Sequence, residues 1–367
     1  MTAPSFTALA MPGVRELRPY EPGKPLEELS REYGVSDAVK LASNENPLGP
    51  SPLAVEAIRA HVASLALYPD GAGYALKQKL AQRHRIQPEQ ITLGNGSGDV
   101  LDLAARVFAG PGREVVFSEY AFAVYPIATL AVSATPVRVP ARGYAHDLNA
   151  MRAAVNERTG LVFIANPNNP TGTWLRDAEL DAFLMDLPSQ VLVVVDEAYF
   201  EYVAEPDYPD TTTWGSRYPN LIITRTFSKA YGLAGLRVGY GVSHPEVADL
   251  LNRVRQPFNV NTLAQVAALA ALDDTHYLQR TLEINREGMR QLSEALERLG
   301  LKYIPSVANF VCVDVGRPAA EVYEALLQDG VITRPLAGYG LPRHLRITVG
   351  LETENARLIT ALEKALR

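Results

Sequence analysis

Short runs of Val, Ile and Leu alternate with stretches of helical spacing through the first two thirds of the chain. Residues 91–93 lead into a glycine loop and then a helical pattern over 99–108. Short strand-like runs occupy 115–117 and 136–139, and four stronger ones follow at 161–165, 191–195, 221–226 and 238–242. These four show little polar alternation, which predicts strands covered by helices on both faces. Within 177–187, Ala178, Phe183 and Leu184 recur at helical spacing. Strands and helices in alternation predict an α/β fold with a mostly parallel or mixed sheet.

The last third reads differently. Helical patterns at 245–256, 263–272 and 277–299 precede strand candidates at 309–315, 331–334 and 345–349, and a helix over 352–367 closes the chain. Helices followed by a few strands predict a separate, smaller α+β domain. The first 45 or so residues, with Pro12, Pro19, Pro22 and Pro25, read as an extended arm with one short helix that must lie on something else. The expected division is an arm at 1–45 packing with the small domain, a large domain at 46–257 and a small domain at 258–367. A length of 367 residues suits two such domains at roughly 150 residues each.

Composition narrows the classes. Hydrophobic residues at 47% and charged residues at 21% exclude a disordered chain. A formal net charge of −6 carries no basic footprint for nucleic acid, although a basic site inside an acidic protein can still bind small anions. The single cysteine, Cys312, cannot form an internal disulfide or a thiolate cluster, and its apolar neighbours predict a small buried residue. The six histidines are scattered without an H-E-x-x-H pattern, so no metal site is expected. No apolar run approaches membrane-spanning length. The N-terminus lacks a charged leader and is interrupted by Pro4 and Pro12, so a cytoplasmic protein without a signal peptide is expected.

Candidate chemistry sits at strand ends. Asn166-Pro167-Asn168-Asn169-Pro170-Thr171-Gly172 follows the run at 161–165; Asp196-Glu197-Ala198-Tyr199 ends the next; Thr226-Phe227-Ser228-Lys229-Ala230, then Arg237, follow the third. Each alone has a structural reading: a Pro/Asn turn, a helix cap, a solvated Ser-Lys loop. Together they deliver an amide, a carboxylate with a tyrosine, and a lysine with hydroxyls and an arginine to the crevice where open α/β sheets bind ligands. Those groups suit pyridoxal 5'-phosphate, which takes a lysine as a Schiff base and a carboxylate on its pyridinium nitrogen. Hydroxyls, an arginine and a helix N-terminus suit its phosphate.

These segments, with Tyr20, the stretch Leu41-Ala42-Ser43-Asn44-Glu45-Asn46-Pro47 and Arg346-Ile347-Thr348-Val349-Gly350, resemble the fold-type-I pyridoxal-phosphate aminotransferases, and most of all the histidinol-phosphate aminotransferase family. The resemblance implies a large domain with a mostly parallel sheet plus a smaller α+β domain. It implies that Lys229 binds the cofactor covalently and later shuttles a proton, and that Asp196 pairs with the ring nitrogen. Asn169 and Tyr199 would bond the ring 3-oxygen. Thr226, Ser228, Arg237 and the loop Gly94-Asn95-Gly96-Ser97-Gly98 would hold the phosphate, with Ser97 and Gly98 at the helix start. Phe122 would stack on the ring, and Tyr68 would reach the cofactor phosphate of a partner subunit in a homodimer. Tyr20, Arg334 and Arg346 would hold the substrate's anion. Two positions depart from many relatives: Ser97-Gly98-Asp99 stands where Ser-Asp-Glu is frequent, and Phe122 where some carry tyrosine.

The implied reaction transfers the amino group of L-histidinol phosphate to 2-oxoglutarate, giving imidazole acetol phosphate and L-glutamate. An aromatic amino acid aminotransferase is the nearest alternative. A nicotinamide-dependent dehydrogenase would need Gly94–Gly98 to be a dinucleotide loop, with Glu119 as its acid, but the spacing is G-x-G-x-G. A non-catalytic ligand-sensing module of the same fold is countered by Lys229.

Overall fold

The computed structural model describes residues 6–20 and 22–367; Pro4 and the rest of the first five positions lie outside these. A seven-stranded sheet forms the larger layer. Across it lie Ile91–Gly94, Gly239–Ser243, Leu221–Thr226, Leu192–Asp196, Thr159–Ala165, Glu114–Ser118 and Thr135–Val139. The last five pair in parallel, and Gly239–Ser243 runs antiparallel to both of its neighbours.

Period-two alternation explains why the central residues of these strands are almost all apolar. Val162, Ile164, Val193, Val195, Leu221 and Ile223 enter one core. Leu161, Phe163, Val194 and Ile222 enter the core on the opposite face, with Tyr125 and the helix Ser97–Phe108. Both faces are buried, so the strands are largely apolar, and polar residues such as Asp196, Thr224 and Arg225 come toward their C-terminal ends, where side-chain partners satisfy them.

Strands Arg334–Leu336, Leu341–Thr348, Phe310–Asp314 and Lys302–Ile304 form a second, four-stranded sheet. Its residues Val311, Val313, Leu345 and Ile347 pack against Leu292, Leu296, Leu326 and Leu358 of the surrounding helices. The strand expected over 331–334 is split. Val331–Ile332 pairs in parallel with Val39–Lys40, and Arg334–Leu336 joins the four-stranded sheet as its edge. An edge strand tolerates Pro335, and the register shifts between Pro335 and Leu336.

The N-terminal segment holds three short helices rather than one, Phe6–Leu9, Pro12–Glu16 and Leu26–Tyr33. Leu29 of the third packs with Leu327 and Ile332. The second lies on the larger layer: Gly13 N donates to Ser133 Oγ at 3.2 Å, and a Cβ at Gly13 would stand 2.0 Å from the Leu130 carbonyl oxygen. Residue 257 falls between the helices Pro245–Val254 and Thr262–Asp273. Ala264, Ala267 and Ala268 of the second helix belong to the core of the seven-stranded sheet.

Candidate active site

Five strands of the larger sheet end at one crevice, and the chemistry-bearing residues follow those ends. Asp196 is the last residue of Leu192–Asp196 and shares the parity of Val194, so its carboxylate turns to the face of Tyr125. Tyr125 Oη donates to Asp196 Oδ2 at 3.1 Å, and Thr224 Oγ1 donates to Oδ1 at 2.9 Å. Burial pushes the carboxyl above its ordinary range, opposed by these two bonds, a backbone bond from Ala198 and the charge of Lys229. A cationic partner against this carboxylate would relieve that penalty.

Lys229 follows the strand Leu221–Thr226, and its Nζ donates to the Ser43 carbonyl at 2.9 Å. It stands 5.8 Å from the centre of the Tyr199 ring. Its amine is lowered to about 7, chiefly by burial and then by the charge of Arg346; Arg237 adds to the lowering, while Glu45 and Asp196 oppose it. A lysine held there is a neutral nucleophile near physiological pH. Tyr199 packs edge-on against Phe310 and accepts a hydrogen bond from Asn44 Nδ2 at 2.7 Å. Burial raises its phenol to about 12.

An anion cradle assembles beside them. Gly94, Gly239 and Thr226 lie side by side in the sheet register. The helix Ser97–Phe108 starts after Gly96 (φ 87°) without a side-chain cap, which leaves its leading amides for an anion. A Cβ at Gly96 would stand 2.5 Å from Arg237 Nη2, so glycine admits the guanidinium to the loop. Arg237 Nη1 donates to Ser228 Oγ at 3.3 Å, and Ser228 N donates to Thr226 Oγ1 at 3.1 Å. The departure at 97–99 has a local account. Asp99 Oδ2 accepts from Asn95 N at 2.8 Å and from Asn259 Nδ2 at 2.9 Å, bracing the loop. Gly98 faces open space.

A second cationic group comes from the smaller sheet. Arg334, Arg346 and Cys312 are direct cross-strand partners, so they share the face opposite to Val311, Leu345 and Ile347. Arg346 is buried; its Nη1 donates to Asn169 Oδ1 at 2.6 Å and its Nη2 to the Ala42 carbonyl at 2.5 Å. Its Nε is buried without a protein partner, an outstanding donor beside the crevice. Arg334 lies 5.6 Å from the centre of the Tyr20 ring. Cys312 is buried among Ile304, Leu336 and Leu341, as its neighbours in sequence predict.

Two residues stand further out. Phe122 is half-buried and edge-on to Tyr125 at 6.0 Å. Tyr68 is 82% exposed and stacks on Phe258 at 4.6 Å. Sequence reasoning assigned no role to Asn44, Thr224 or Tyr125, which hold Tyr199 and Asp196 in place. Among the described residues no group of His, Cys, Asp and Glu could hold a metal ion, and no helix is long and apolar enough to cross a membrane. The donor set fits pyridoxal 5'-phosphate: a low-pKa lysine, a buried carboxylate, and a glycine-lined cradle of amides, hydroxyls and a guanidinium.

Several known proteins are similar to this chain. The profile of the family described as aminotransferase class I and II matches residues 36–362. Histidinol-phosphate aminotransferase 1 of Nitrosococcus oceani is 62% identical over 98% of each chain. Histidinol-phosphate aminotransferase 2 of Pseudomonas aeruginosa is 58% identical, again over 98% of each. Among solved structures, histidinol-phosphate aminotransferase from Sinorhizobium meliloti in complex with pyridoxal-5'-phosphate superposes with a TM-score of 0.89. That pair is 32% identical over 98% of this chain and 97% of the other.

Proposed function

The chain belongs to the class I and II aminotransferases, and within them to the histidinol-phosphate aminotransferases, and from this we infer its reaction: transfer of the amino group of L-histidinol phosphate to 2-oxoglutarate, yielding imidazole acetol phosphate and L-glutamate. When bound, pyridoxal 5'-phosphate supplies an aldehyde that captures the amino group and a cationic ring that draws electrons from the carbon losing its proton. The residues of this chain do the rest. Asp196 keeps the ring nitrogen protonated, because a carboxylate beside it raises that nitrogen's pKa. Lys229 Nζ, about half neutral at pH 7, would hold the cofactor and, once released by substrate, would carry the proton away from the substrate carbon. Asn169 and Tyr199 would bond the ring 3-oxygen. Thr226, Ser228, Arg237, Ser97 and Gly98 would hold the cofactor phosphate, and Phe122 would stack on the ring.

One observation carries the choice of substrate. Arg334 and Arg346 sit opposite each other on the crevice face of one sheet, with Tyr20 beside Arg334. Two guanidiniums and a phenol suit a dianionic phosphate better than one carboxylate. Arg346 also receives the carboxylate of glutamate in the return half-reaction. The relatives named above are histidinol-phosphate aminotransferases, so the aromatic amino acid reading is not favoured.

The assembly is a cytoplasmic homodimer in which Tyr68 reaches the partner's cofactor phosphate. The exposed apolar residues Leu65, Leu67 and Tyr68, with Tyr68 stacked on exposed Phe258, offer a surface for a partner and support this. The deciding experiment compares kcat/KM for histidinol phosphate, phenylalanine and tyrosine with 2-oxoglutarate as acceptor. Histidinol phosphate should lead by at least about tenfold, one charge-assisted contact's worth. A lead by either amino acid would refute the substrate.

A further inference from the structure

Three consecutive residues that leave the short strand Val39–Lys40 each touch a different functional group. The Ala42 carbonyl accepts from Arg346 Nη2, the Ser43 carbonyl accepts from Lys229 Nζ, and Asn44 Nδ2 donates to Tyr199 Oη. The backbone here is held by the smaller layer. Leu41 N donates to the Ile332 carbonyl at 2.7 Å, Thr348 N to the Leu41 carbonyl at 2.9 Å, and Asn309 Nδ2 to the Asn44 carbonyl at 3.1 Å.

We propose that Asn44 is a positioning residue that directs the phenol proton of Tyr199 toward the 3-oxygen of the cofactor and thereby lowers the pH at which the lysine–cofactor link gives up its proton. This rests on the pyridoxal-phosphate reading above. A phenol carries one proton and can accept as well as donate. Asn44 donates to it, so the phenol's own proton is free for another acceptor. The Thr348 hydroxyl fixes the amide's orientation: it accepts from Asn44 N at 2.9 Å and donates to Asn44 Oδ1 at 3.1 Å. The amide nitrogen is thus turned to Tyr199. Burial keeps the phenol protonated well above neutral pH, so the proton remains to be given. A donor on the ring 3-oxygen withdraws charge that otherwise grips the proton of the nearby link. Asn44 sits at φ 56°, a left-handed conformation that Asn, Asp and Gly accept more readily than other residues.

The backbone therefore permits two informative substitutions, Asn44→Gly and Asn44→Asp. The measurement is the pH midpoint of the holoenzyme's visible absorption, with cofactor affinity by equilibrium dialysis alongside. Asn44→Gly removes the donor that polarises the phenol and should raise the midpoint by up to about one pH unit. Asn44→Asp replaces the donor with an acceptor that takes the phenol proton, and should raise it further. Tyr199→Phe should raise it too, and adding Asn44→Gly to that background should then change little. A purely structural Asn44 would lower cofactor affinity and leave the midpoint fixed; that result in either variant, or additivity in the double variant, overturns the proposal. A wild-type protein with no visible band at all would sink the cofactor reading as well, whereas a normal wild-type band with unmoved variants sinks only the role of Asn44.

Discussion

Lys229 should behave as a neutral amine in the cofactor-free protein at physiological pH. An ordinary lysine, with a pKa near 10.4, is neutral in only about one molecule in 2,500 at pH 7. With its pKa brought to about 7, half of the Lys229 amines are neutral there, an enrichment on the order of a thousandfold. Burial is the larger cause and the charge of Arg346 the next. Competitive labelling of the cofactor-free protein with an amine reagent, read as modification of the Lys229 peptide against pH, should give a midpoint near 7. Arg346→Gln removes one adverse charge and should move the midpoint upward while leaving the effect of burial. Asp196→Asn removes a favourable charge and should move it down. Stability follows with a definite sign. Between pH 7 and about 10.4 the unfolded chain binds a proton at this lysine that the folded protein lacks, so folding stability gains from this residue as pH rises. Lys229→Met should lose that slope. Labelling that climbs steadily through pH 9 without levelling would refute the argument.

The remaining predictions address the other contacts. Asp196→Asn should retain much of the cofactor, because the phosphate cradle is untouched, yet lose about a hundredfold or more in kcat; near-normal turnover would contradict the role of the carboxylate. Arg334→Ala should cost about ten- to a hundredfold in kcat/KM for histidinol phosphate and spare the glutamate half-reaction, whereas Arg346→Ala should damage both; equal effects of Arg334→Ala on both half-reactions would remove it from the substrate site. If Tyr68→Phe is impaired alone, subunit exchange with a Lys229→Ala chain should restore one intact site per mixed dimer, and sedimentation of a fully active monomer would end the shared-site proposal.

The parallel strands were legible because burial on both faces favours unbroken runs of aliphatic and aromatic residues, as over 161–165 and 191–195. Several helices were not. Val124–Ala131 is apolar on most sides and contains Pro126, a residue tolerated there only because the first helical turn leaves its amides unpaired. Tyr74–His84 is largely polar, so its apolar face is too weak to mark it, although Leu76 and Leu80 are fully buried. The two-residue strand Val39–Lys40 has no length over which a period could show. It exists because its backbone pairs with Val331–Ile332, nearly 300 positions away.

The candidate site divides along the same line. Residues that act through chemistry rare at a strand end stood out in the sequence: a carboxylate closing an apolar run, a lysine among hydroxyls, paired asparagines among prolines. Residues that act by holding those groups did not, since nothing local distinguishes Thr224 from any hydroxyl on a strand or Asn44 from any turn residue. Their meaning comes from register. Asp196 and Thr224 are cross-strand partners, as are Arg334 and Arg346, and a one-residue slip in either pairing would turn one partner to the opposite face. Such a slip between Arg334–Leu336 and its neighbour would leave Arg346 beside Asn169 but carry Arg334 toward the helices. The protein would then keep a grip for glutamate's carboxylate and lose the paired guanidiniums for phosphate. Discrimination for a phosphorylated substrate therefore depends on a register held by only three edge-strand residues as much as on the arginines themselves.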